Sequence, residues 1–283
     1  MTIQKVGVMG CGQMGGGIVQ VAAQSGFQVL VGETNEDLLG RGIGRIQGFI
    51  GKDIEKGKLS RDEGDAILKR IKGTTNLEDF ADCDLVIEAI IENIEEKRKL
   101  FAELDRICKP ETIFSSNTSS LPIIQMAAAT KRPEKFGGTH FFNPVPVMKL
   151  VEIVRTISTS DATVATLTEF GKALGKVTVQ AKDTPGFIVN LLLVPYLLDA
   201  IRAYERGVAS KEDIDEGMKL GCGHPMGPLT LSDYIGLDTM YYIANILFEE
   251  FGESRYAPPP LLRRLVMAGH FGKKSGKGFY DYR

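Results

Sequence analysis

His140, His224 and His270 are the only imidazoles among the 283 residues, so a reaction that moves a proton near neutral pH has three candidate bases of that type. Four cysteines, Cys11, Cys83, Cys108 and Cys222, lie far apart without a CxxC pair. That spacing argues against a zinc site and for a reduced intracellular chain, and no metal is expected. Gly10-Cys11-Gly12-Gln13-Met14-Gly15 has the spacing GxGxxG. Gly10 permits a tight turn, Gly12 lets the backbone approach a pyrophosphate, and Gly15 allows close helix–strand contact. Gln13 and Met14 open the next helix, whose N-terminal N–H groups and partial positive charge suit phosphate. Glu33, 18 residues beyond Gly15, can accept hydrogen bonds from an adenosine ribose and would repel a 2′-phosphate, which favours NAD over NADP. A glycine-rich turn alone is weak; strand, helix, second strand and acid in that order make it a dinucleotide site.

The elements that must position these groups are legible in the apolar periodicity. Residues 6–8, 29–31, 85–89 and 113–115 read as short buried strands, and 13–25, 38–54, 62–71, 93–107 and 123–129 as helices. Further strands are expected at 136–140, 149–154 and 177–181, with a helix over 163–174. Near-continuous apolar strands alternating with helices imply an α/β, Rossmann-like, mostly parallel sheet with helices on both faces. After Asp183-Thr184-Pro185-Gly186 the pattern changes. Apolar residues recur at helical spacing over 187–204, 211–220, 231–251 and 261–268, with no clear strand. The expected division is a nucleotide-binding domain over 1–184 and an all-α C-terminal domain over 185–283.

Composition excludes several classes. With 43% hydrophobic and 25% charged residues the chain is neither disordered nor collagen-like. The 34 Lys+Arg nearly cancel the 36 Asp+Glu, so no global basic field draws it to nucleic acid, and an anionic ligand needs local cations. No run approaches ~18 uninterrupted apolar residues, and the N-terminus lacks the features of a signal peptide. A soluble, cytoplasmic protein with no membrane partner is expected.

Ser116-Asn117-Thr118-Ser119-Ser120-Leu121 and His140-Phe141-Phe142-Asn143-Pro144-Val145-Pro146 carry a more specific pattern. With Lys149-Leu150-Val151-Glu152, the run from Asp183 to Asn190 and the run from Phe271 to Tyr280, they resemble the 3-hydroxyacyl-CoA dehydrogenase family across essentially the whole chain. The resemblance implies NAD-dependent interconversion of (S)-3-hydroxyacyl-CoA and 3-oxoacyl-CoA, short-chain substrates such as (S)-3-hydroxybutyryl-CoA and acetoacetyl-CoA, a place in fatty-acid or butanoate metabolism, and a homodimer built on the helical domain. It assigns His140 as the base, Glu152 as the carboxylate that orients it, and Ser119 and Asn190 as groups that bond the reacting oxygen and thereby the substrate. It also places Glu92, Lys97, Asn117 and Asn143 near the nicotinamide half of the cofactor. The CoA tail falls on the helical excursion carrying Lys52 and Lys56, where Asp53, Glu55, Asp62 and Glu63 nearly neutralise the cations.

Each residue alone has a plainer reading. His140 can be a satisfied structural histidine, Glu152 a surface charge, and the Ser119-Ser120 pair a cap for the helix before Ile123. Asn190 can satisfy backbone groups, and residues 92–99 read as a solvated helix face. His224 reads as a loop residue and His270 as exposed. Two positions depart from the family: Glu33 stands where aspartate is usual, and Leu191 follows Asn190 where many relatives have arginine. A dehydrogenase of a free hydroxy acid or sugar acid, and a non-catalytic crystallin-like relative, are the alternatives.

Overall fold

The computed structural model describes residues 2–283, and the chain divides into two compact units between Thr184 and Pro185. The first unit runs β1 (Lys5–Met9), α1 (Gln13–Gln24), β2 (Gln28–Gly32), α2 (Glu36–Glu55), α3 (Arg61–Lys69), β3 (Ile71–Thr74), β4 (Leu85–Glu88), α4 (Ile94–Ile107), β5 (Ile113–Ser116), α5 (Ile123–Ala127), β6 (Phe136–Phe141), β7 (Leu150–Arg155), α6 (Asp161–Ala173) and β8 (Val177–Lys182). The strands form one sheet in the order β3-β2-β1-β4-β5-β6-β7-β8. All neighbours are parallel except β6 and β7. Every residue of β4 and β5 is buried, which requires cover on both faces and explains why these strands do not alternate.

Helix starts follow local side-chain chemistry. Asn35 caps α2, Asn93 caps α4 and Ser160 caps α6, while Ser60 and Glu63 form a capping box on α3. The sequence pattern predicts a helix over 62–71, but α3 ends at Lys69 and Ile71 begins β3. β3 is a four-residue edge strand, Ile71-Lys72-Gly73-Thr74, of which only Thr74 is buried. Too short and polar to show a strand period, it is held by pairing with β2.

The second unit contains α7 (Val189–Glu205), α8 (Lys211–Cys222), α9 (Pro228–Ile235), α10 (Leu237–Phe251) and α11 (Pro260–Met267). The helix expected over 231–251 is two helices, broken at Gly236, whose φ of 101° no continuous helix accepts. Its core joins Leu197, Leu198, Leu229, Leu237, Ala244 and Leu262. Two buried carboxylates organise it. Asp215 accepts the N–H groups of Leu229 and Thr230 at the start of α9. Asp233 accepts those of Phe279 and Tyr280, both at 2.9 Å, and burial pushes its carboxyl up. A Cβ at Gly278 would stand 1.9 Å from Asp233 Oδ1. The C-terminal glycine-lysine motif is therefore a lock on α9. No helix among the described residues is long and apolar enough to cross a membrane.

Candidate active site

The glycine loop leaves β1 at the carboxyl edge of the parallel strands, where open α/β sheets bind ligands. Gly10 has φ +96°, and a Cβ there would meet Ala89 O at 2.5 Å. At Gly15 a Cβ would stand 1.9 Å from Gly10 O, so this glycine closes the loop on itself. Gly12 differs: a Cβ there meets nothing within 4 Å, and its backbone faces open space. No side chain caps α1 and no acid lies in its first turn, so the helix start keeps its positive character for an anion. Glu33 Oε1 accepts from Cys11 N at 2.7 Å and Oε2 from Thr34 N at 3.1 Å. Arg45 donates to Cys11 O at 2.8 Å from the other side. The Cys11 thiol is buried against Gly42, and burial pushes it up to about 11, so it is a packing group rather than a nucleophile.

Glu33 rims a cleft of about 350 Å³ whose walls include Thr34, Leu77, Ile90 and Leu100. A second cleft of about 270 Å³ is lined by Gly12, Gln13, Gly16, Gly17, Arg45 and Phe49. Open space over Gly12, an uncapped helix start and a carboxylate on an apolar cleft fit the pyrophosphate, ribose and adenine of a dinucleotide.

His140, one residue from the end of β6, is register partner of Glu152 on antiparallel β7. Its Nδ1 lies 2.6 Å from Glu152 Oε2. Glu152 is fully buried and His140 only 5% exposed, so neither is a surface residue. Phe142 packs on the imidazole at 4.6 Å between ring centres. Asn117, just past β5, accepts from Phe141 N at 2.9 Å and ties the two strand ends. Asn143 accepts from Gln13 Nε2 at 3.0 Å, which joins the segment after His140 to the start of α1; the Asn143–Pro144 peptide is cis.

The loop bearing Ser119 rests on a buried charge network. Lys97, 1% exposed, donates to Glu88 Oε1 at 2.5 Å and pairs with Glu92 Oε2 at 3.1 Å. Glu88 also accepts from Ser116 Oγ and Ile90 N, and burial pushes its carboxyl up against the pull of Lys97. Glu92 accepts from the Thr118 hydroxyl, from Ser119 N at 3.3 Å and from Ser120 Oγ at 3.3 Å.

The family description 3-hydroxyacyl-CoA dehydrogenase, NAD binding domain, matches residues 5–184, and 3-hydroxyacyl-CoA dehydrogenase, C-terminal domain, matches residues 186–282. The chain belongs to the 3-hydroxyacyl-CoA dehydrogenase family. A probable 3-hydroxybutyryl-CoA dehydrogenase of Deinococcus radiodurans is 54% identical over 278 residues, covering 98% of this chain and 100% of that protein. The crystal structure of FadB2 of Mycobacterium tuberculosis superposes with a TM-score of 0.97 at 51% identity, covering 100% of both chains. That of (S)-3-hydroxybutyryl-CoA dehydrogenase PaaH1 of Ralstonia eutropha gives 0.96 at 43% identity, again covering 100% of both.

Within this 3-hydroxyacyl-CoA dehydrogenase, the first unit gathers His140, Glu152, Asn117, Asn143, Gln13, Glu92 and Ser119 through the bonds above. The solvated-face reading of residues 92–99 holds for the exposed pairs Glu95–Arg98 and Glu96–Lys99 and fails for buried Lys97. The helix-cap reading of Ser119 and Ser120 also fails. Asp183 takes Ile123 N at 2.9 Å and Ile124 N at 2.7 Å, and α5 has no cap of its own. Lys52 and Lys56 are exposed at the end of α2, and among the described residues neither forms an ion pair, whereas Lys58 lies 3.8 Å from Asp53. Asn190 is the second residue of α7, in the second unit. His224 lies in a loop, 3.1 Å from Tyr196 OH, and His270 is half-buried rather than exposed. Sequence reasoning missed Glu88 and Asp183. An acid closing the apolar run Leu85-Val86-Ile87 was the signal for the first, and the family-like motif at 183–190 for the second.

Proposed function

We propose that the chain is an NAD(H)-dependent (S)-3-hydroxybutyryl-CoA dehydrogenase, interconverting that thioester and acetoacetyl-CoA. The observation that carries the reading is the buried His140–Glu152 pair at the strand edge that also bears the glycine loop. With Nδ1–H donated to Glu152, the imidazole keeps its basic lone pair on Nε2. His140 takes the C3 hydroxyl proton, and the C3 hydride leaves as the C3–O bond becomes a carbonyl. Bound NAD supplies the hydride acceptor. Glu152 fixes the tautomer and stabilises the imidazolium. Ser119, on the loop held by Glu92, is the donor to the reacting oxygen.

Gly10, Gly12, Gln13, Met14 and Gly15 hold the cofactor pyrophosphate, Glu33 its ribose, and Asn117, Asn143, Glu92 and Lys97 frame its nicotinamide half. Glu33 favours NAD, and Arg45, which reaches the loop from α2, is committed to Cys11 O. Lys52 and Lys56 meet the CoA phosphates as exposed cations without an ion pair among the described residues.

The test follows NADH loss with acetoacetyl-CoA and, in parallel, with free acetoacetate and with NADPH. Turnover restricted to NADH and the thioester is expected; turnover of free acetoacetate moves the reading to a hydroxy-acid dehydrogenase, and none with either sinks it. Lys52→Glu with Lys56→Glu should raise KM for acetoacetyl-CoA, most at low salt, and leave NADH binding unchanged.

A further inference from the structure

Lys176 follows the positive-φ turn at Gly175 and directly precedes β8. Its ammonium donates to two backbone carbonyls, Val145 O at 2.6 Å and Met148 O at 2.8 Å. Among the described residues it has no carboxylate partner, and burial lowers its affinity for the proton. A half-buried ammonium committed to main-chain carbonyls is unfavourable to place unless those carbonyls need holding. They belong to residues 142–149, the segment that follows His140 and Phe141. Val147 and Met148 in that segment are exposed, and Val145 alone is buried. Val145 sits so close over Gly17 of α1 that a Cβ there would meet it at 2.8 Å. Two residues earlier, Asn143 accepts from Gln13 at the start of the same helix. The segment thus touches the cofactor helix at two points and is tied down from behind by one cation.

Resting on the dehydrogenase reading, we propose that Lys176 is a positioning residue for the cofactor. It holds Val145 and Asn143 on the first turns of α1, and so keeps the loop that receives the dinucleotide in its binding shape. It touches neither reactant and acts through the two carbonyls.

Lys176→Met removes both donors at similar length. The NADH dissociation constant, read by fluorescence titration without acyl-CoA, should rise about tenfold, as for a lost hydrogen bond to a charged group. Lys176→Arg, which keeps the charge and the donors, should retain affinity. Asn143→Ala should also weaken NADH, and the double variant should be no weaker than the worse single, because both act through the one segment that docks on α1. A lowered Tm with unchanged NADH affinity, or additive losses in the double variant, would overturn the assignment and leave Lys176 a fold contact. Should Lys176→Met not fold, Lys176→Gln, with one neutral donor, is read in the same way. A wild-type chain that binds NADH but does not reduce acetoacetyl-CoA sinks the thioester reading and leaves this comparison intact.

Discussion

Glu152→Gln is the substitution that separates chemistry from scaffold most cleanly. Glu152 is fully buried, and His140 Nδ1 lies 2.6 Å from its Oε2. Glutamine has the same shape and keeps a carbonyl oxygen that can accept from Nδ1–H, so the core is undisturbed. What is lost is the negative charge beside an imidazole that becomes a cation when it takes the substrate proton, and the tautomer is no longer fixed, because the amide N–H₂ can also donate to Nδ1. General acid–base assistance is worth about 10²–10⁴-fold, or about 2.7–5.5 kcal/mol of barrier. Loss of kcat within that range is expected, with NADH affinity and Tm near wild type. By contrast, Glu152→Ala strands the buried Nδ1–H and costs about 1–3 kcal/mol of stability besides. The assay is single-wavelength NADH consumption with saturating acetoacetyl-CoA, repeated in His140→Ala and in the double variant. If base and carboxylate act as one unit, the double variant is no slower than His140→Ala. A Glu152→Gln enzyme with near-normal kcat would falsify the pairing as catalytic, and additive losses would refute the shared role.

Two further perturbations test the scaffold. Gly12→Ala and Gly15→Ala should part company: the first places a methyl in open space over the anion site and should abolish NADH binding with Tm nearly unchanged, while the second drives a Cβ to 1.9 Å from Gly10 O and should yield little folded protein. Circular dichroism with NADH titration distinguishes them, and equal folding of both would contradict the loop geometry. Asp84 tests the acid limb. Burial raises its carboxyl, but Lys109 and the N–H groups of Lys5 and Gln4 outweigh that and hold it below the usual range. Its folded pKa is depressed, so its stabilisation is complete above the unfolded value of about 3.9 and is lost as pH falls through the folded one. Asp84→Asn should melt lower than wild type at neutral pH, and the gap should close below about pH 4; a gap constant with pH refutes this.

What the sequence made legible was what local chemistry determines. The strands with continuous apolar runs, the glycine loop with Glu33, and the change of pattern after residue 184 depend on neighbours a few positions away. Gly236 shows where that stops. Its backbone conformation is set by packing, with Leu237 N taken by Phe271 O, and nothing in the apolar spacing of 231–251 announces it. β3 escaped because an edge strand can be polar if one neighbour pairs it. His140 and Glu152 were named by motif resemblance, but their contact required knowing that β6 and β7 run antiparallel in one register. Lys97 was the hardest case. A lysine among Glu95, Glu96, Arg98 and Lys99 looks solvated, and only the fold turns that one position inward.

The placing of buried charge argues most strongly that the strand edge is built for chemistry. Along β4, β5 and β6 the early residues are apolar, while Glu88, Ser116 and His140 fall at or next to the carboxyl ends, with Lys97, Thr118 and Ser120 buried around them. Burying an ion pair costs several kcal/mol per ion, and replacement by well-packed apolar side chains is often neutral or stabilising. Stability alone therefore does not call for a Glu88–Lys97–Glu92 network, and the upward push on Glu88 is a direct sign of that cost. Its bonds run outward, from Glu88 to Ile90 N beyond β4, and from Glu92 to the backbone and hydroxyls of residues 118–120. Rigid loops are what it provides, after β4 and β5, between the glycine turn that follows β1 and His140 on β6. A hydride transfer tolerates little error in the relative position of its partners. An apolar core fixes the sheet, but fixing loop backbone at its edge needs directional bonds, and buried charge supplies them.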